Sequence, residues 1–172
     1  MRDRTLAASV LVLGISIAGM TVAPTALADD TDGSSGAPVT VTAVDPSDNA
    51  QPPAVQACGQ FAQILDDSSD YYGDFADSFE GSDYNDPAVA TSNATGRTAL
   101  RQAAAAAMTA SQTPGLDPSI GDPMRVWSLG ATKLMLEMGL RIPGDILNST
   151  ATEMNNDAVR VQQACAAAGT HA

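Results

Sequence analysis

Two cysteines, Cys58 and Cys165, constrain this chain more than any other feature, because they stand near the two ends of its patterned part. A bond between them would bring residue 58 beside a residue more than a hundred positions later. Outside the cytoplasm an even cysteine count argues for pairing. A cross-link over so long a loop is worth about 4 to 5 kcal/mol in the chain-entropy model. The alternative is two buried free thiols.

The first 28 residues read as an export signal. Arg2 and Arg4 form a positive start, Leu6 to Ala23 is mostly apolar, and Ala26-Leu27-Ala28 is a small-x-small cleavage site. The expected location is therefore extracellular, reached by the general secretory route, since no twin arginine is present. Once the signal is cleaved, no second apolar stretch is long enough to hold the chain in a membrane. Removing this segment takes away Arg2, Arg4 and Asp3 and leaves six basic residues against nineteen acidic ones. Residues 29–86 hold thirteen of those acids and no Lys or Arg. Such a charge excludes nucleic-acid phosphates and anionic membranes as partners.

Residues 29–52 are rich in Asp, Ser, Gly, Thr and Pro and lack an apolar period, so a disordered acidic linker is expected there. From Pro53 to Gly169 the pattern is helical, with 170–172 left as a tail. Asp86-Pro87, Asp117-Pro118 and Asp122-Pro123 are helix starts: the Asp carboxylate accepts free first-turn N–H groups, and Pro needs none. Gly81, Pro114-Gly115, Gly139 and Gly169 are the expected stops. Four helices follow, over 53–79, 87–110, 123–138 and 145–168. The first carries Cys58, Phe61, Leu65, Ser68, Tyr72, Phe75 and Phe79 in alternating steps of three and four. The last carries Leu147, Thr150, Met154, Ala158, Val161, Cys165 and Ala168. The fold class predicted is all-α, a four-helix up-down bundle. That topology puts the start of the first helix and the end of the fourth at one end, where a Cys58–Cys165 disulfide closes it.

Asp67, Asp70, Asp74 and Asp77 form a second stripe on the first helix, offset by two residues from the apolar stripe, in which Ser68 is the one gap, and so about 200° away. Like charges at this spacing repel, and acids late in a helix oppose its dipole. A solvated face offset by Arg97 and Arg101 of the second helix is the plain expectation. A divalent cation or a basic partner is the functional alternative. Tyr72, Trp127 and Met154 are the residues a ligand cleft between Ala-faced helices would use. Tyr71, Tyr72 and Tyr84 could in principle ligate haem, but the one histidine, His171, is next to last. Met124, Met135, Met138 and Met154 fall on or beside apolar stripes and are expected in the core rather than on a metal. A lone terminal histidine and the lack of a Gly-rich phosphate loop argue against catalysis.

Several stretches carry a resemblance: Ala57-Cys58 with Phe61-Ala62, Tyr72 to Phe75-Ala76, Gly96 to Arg101, Trp127 to Leu134, and Val161 to Cys165. Through them residues 56–168 resemble a group of small secreted proteins from mycobacteria and related actinobacteria. The resemblance implies export and a helical fold, and it supplies no site. The expectation is a secreted, non-enzymatic helical protein with no cofactor, binding an unidentified protein. The alternative is a carrier of a small apolar ligand or haem. Oligomeric state is left open.

Overall fold

The computed structural model describes residues 45–142 and 144–172. The signal sequence read over 1–28 and residues 29–44 of the linker lie outside them. The described residues hold four helices and no strand: α1 Pro52–Phe79, α2 Pro87–Ala110, α3 Pro118–Gly139 and α4 Gly144–Ala167. None of these helices is long and apolar enough to cross a membrane. Each packs on its neighbours in chain order, and α4 returns to α1 along the slightest contact of the four.

Two of the helices begin as their sequence dictates. Asp86 caps α2 by accepting the Ala88 N–H at 2.8 Å, and Asp117 caps α3 by accepting that of Ser119 at 2.8 Å. The second case corrects the expected start of α3 at Pro123. The helix begins a turn and a half earlier and runs through Pro123. Pro123 lacks an N–H only for the carbonyl of Ser119, which is an exposed residue that water can reach, so the break costs little. Asp122 does not cap; it pairs with Arg125 at 2.6 Å.

α3 and α4 both end in a Schellman arrangement. At α4 the Thr170 N–H reaches the Cys165 carbonyl and that of Gly169 reaches Ala166. Gly169 takes φ +76, which suits glycine. Its missing side chain also leaves room for Ser47, which donates both N–H (2.8 Å) and hydroxyl (3.0 Å) to the Gly169 carbonyl. Residues 45–51 therefore differ from the disordered linker expected there: their turn is pinned to the end of α4. Thr170, assigned to a tail, is buried.

The core is built mainly from small residues. Ala57, Ala107 and Ala131 are wholly buried, and the larger groups are Trp127, Phe61, Met124, Leu134, Met138, Val89 and Val161. Trp127 of α3 meets the ring of Phe61 of α1 edge-on at 5.2 Å between centroids, a favoured aromatic geometry. Ser128 ties α3 to α2 by donating to the Ala104 carbonyl at 2.7 Å. Gly121 permits a close approach of backbone to backbone, since a Cβ there would lie 2.9 Å from the carbonyl oxygen of Ser111. Cys58 and Cys165 are joined, with their Cα atoms 5.9 Å apart, and both are fully buried. The bond crosses the α1–α4 seam, where helix packing contributes least.

Candidate interaction surface

α3 is apolar on two opposite sides. Its inward stripe is Met124, Trp127, Ala131, Leu134 and Met138, all buried. Two residues on from each of these stand Val126, Leu129, Lys133, Leu136 and Leu140. Two residues turn a helix by about 200°, so this second stripe points away from the core. It is open to solvent: Val126 is 48% exposed, Leu129 60%, Leu136 55% and Leu140 73%. Scattered exposed apolar residues are ordinary, but three leucines and a valine in one stripe make this face a candidate contact surface.

Lys133 interrupts the stripe at its middle. Its ammonium donates to Glu153 of α4 at 2.9 Å, and that hydrogen bond holds it above its ordinary pKa. The charge at the centre of the face is thereby neutralised. Sequence reading missed this face because the inward stripe alone already accounts for a helix. The signal was nonetheless present as the same three-four rhythm shifted by two positions.

The acidic residues of α1 occupy the face expected of them. Asp67, Asp70, Asp74 and Asp77 are all exposed, and none forms an ion pair among the described residues. The expected offset by arginines is corrected. Arg97 is turned the other way, with its guanidinium against Gly139 at the end of α3. A cation there complements the negative end of that helix. Asn93, one turn earlier on α2, donates to the Met138 carbonyl at 3.2 Å. Arg101 is exposed and makes no ion pair among the described residues. No group of three or more His, Cys, Asp or Glu side chains among the described residues is arranged to hold a metal ion.

Tyr72, Trp127 and Met154 do not share a cleft. Trp127 and Met154 are core residues. Tyr72 lies eleven positions beyond Phe61 on α1, about 16 Å along the axis. There it packs beside Phe75, farther along the same core, and Phe75 in turn meets Phe79 and Tyr84. Burial, with smaller contributions from Tyr84 and Glu137, pushes the Tyr72 hydroxyl up to about 12. Tyr71 instead faces solvent over two shallow, open grooves between α1 and α2, of about 360 and about 270 Å³. Ala99 and Gln102 line both.

Comparison with known families bears on the whole of this arrangement. The profile of the Rv2240c four-helix bundle domain matches residues 41–166, which take in all of α1 to α3 and nearly all of α4. The chain belongs to that family. An Rv2240c-type domain accounts for the four helices. It agrees with the resemblance to mycobacterial helical proteins as far as family and fold are concerned. No curated protein and no solved structure matches the chain.

Proposed function

We propose that this is an exported, up-down bundle that works by protein contact, at the cell envelope or beyond it, without catalysis. The observation that carries the reading is the outward apolar stripe of α3; the other exposed large apolar residues, Tyr71 on α1 and Ile146 and Val159 on α4, form no such stripe. A helix that needs only one apolar face to fold has no structural use for a second. Export is supported by the basic, apolar and small-residue order of residues 1–28. It is also supported by the Cys58–Cys165 bond, a linkage that persists in oxidising compartments.

The carrier reading draws on one observation, the grooves beside Tyr71. They are open, the larger lined mainly by Ala and Thr and the smaller by Ala with Ile64, Asp67, Ser68 and Gln102, which suits a loosely held ligand better than an enclosed one. Native mass spectrometry of protein taken from its own culture medium separates the two. The contact reading expects a bound polypeptide that is lost when Leu129 or Leu136 is made Asp. A retained small molecule with no polypeptide would contradict it and favour the carrier.

A further inference from the structure

The outer stripe of α3 is nearly the same in both directions about Lys133. Val126 and Leu140 stand seven residues to either side, Leu129 four before and Leu136 three after. We propose that this face pairs with the same face of a second copy, the two α3 helices running antiparallel across a two-fold axis at Lys133. The inference rests on the contact reading above and names the partner.

An isologous contact needs a patch that complements itself under a two-fold rotation. Antiparallel pairing about Lys133 sets Val126 against Leu140 of the second copy and Leu129 against Leu136. Two lysines then meet at the axis, but each is already bound to Glu153. Side by side, the two pairs make a ring of four alternating charges instead of a repulsion. The same register sets Arg141 opposite Arg125 of the second copy, a like charge that is offset by the Asp122 carboxylate already paired with Arg125. The distribution of charge over the molecule agrees. The chain carries a formal charge of −12, and its exposed Asp stripe lies on α1, a helix that packs chiefly on α2 and also on α4. Pairing through α3 keeps those acidic faces apart.

The stripe offers on the order of 400 Å² of apolar surface per copy. A stable interface of standard size buries roughly 800 Å² per partner. The expected pairing is therefore reversible, with a dissociation constant in the micromolar range.

Sedimentation equilibrium of the oxidised full chain, from about 1 µM to about 1 mM, tests it directly. The average mass should climb from monomer to dimer with concentration. Leu129→Asp and Leu136→Asp, both at exposed positions, should keep the helical circular dichroism and weaken pairing about 100-fold. Lys133→Cys faces its own symmetry mate and should oxidise to a covalent dimer, whereas Val126→Cys should not. A wild type that stays monomeric at every concentration would overturn the pairing. So would folded variants that dimerise as the wild type does, or a covalent dimer from Val126→Cys in preference to Lys133→Cys. A monomer that still carries a different protein in native mass spectra ends this inference and leaves the contact reading standing. A monomer that carries nothing ends both.

Discussion

Thr150 is fully buried on α4, and its hydroxyl has no hydrogen-bond partner among the described residues. An unsatisfied buried hydroxyl costs more than the methyl that could replace it. Thr150→Val should raise stability by about 1 kcal/mol, read as a later midpoint in urea; a fall would show that the hydroxyl is bonded. Gly121 makes the opposite case. An alanine there meets backbone rather than a movable side chain, so Gly121→Ala should cost about 1 to 3 kcal/mol and lower the melting temperature. Tyr72 sets a pH dependence. Its hydroxyl titrates near 10 in the unfolded chain and at about 12 in the fold. A raised value means the stabilisation is complete below pH 10 and is lost as pH climbs towards 12, by roughly 2 to 3 kcal/mol. Tyr84 is shifted the same way, also by burial. Tyr72→Phe should therefore remove most, not all, of the alkaline loss in a melting series from pH 8 to 12.

At the scale of helices, what was legible was whatever depends on local chemistry. α2 spans 87–110 as read, because Asp86-Pro87 fixes its start and no rival signal lies nearby. α3 was misplaced because two Asp-Pro pairs compete five residues apart. Only the fold decides that Asp117 caps while Asp122 pairs with Arg125. The outer stripe of α3 was illegible for another reason. An apolar residue declares itself in the sequence, but whether a neighbour covers it depends on packing. The same limit applies to Arg97, which was assigned to α1 by spacing and is drawn to the end of α3. The acidic stripe of α1 supports its own prediction. With no basic residue in the last turn of that helix, Asp74→Asn with Asp77→Asn should stabilise by about 0.5 kcal/mol, measured at low salt. Calcium should leave the melting temperature unchanged; a rise reversed by chelator would make the stripe a cation site.

At the scale of the molecule, an alanine-rich core and an uneven set of seams explain why the cysteines matter. α1 meets α2, α2 meets α3 and α3 meets α4 along broad contacts, while α4 meets α1 along a narrow one. The disulfide spans that narrow seam and closes a loop between residues 107 positions apart. The Ser47–Gly169 contact reinforces the same end of the molecule. The pairing and its place at the ends of α1 and α4 could be read from the sequence, because two cysteines on two apolar stripes leave few other arrangements. Guanidinium unfolding of the oxidised protein, compared with the reduced protein and with the Cys58→Ala, Cys165→Ala double variant, tests this closure most directly. The bond should supply about 4 to 5 kcal/mol, so both altered forms should unfold at markedly lower denaturant. Superimposable transitions for the three forms would contradict it.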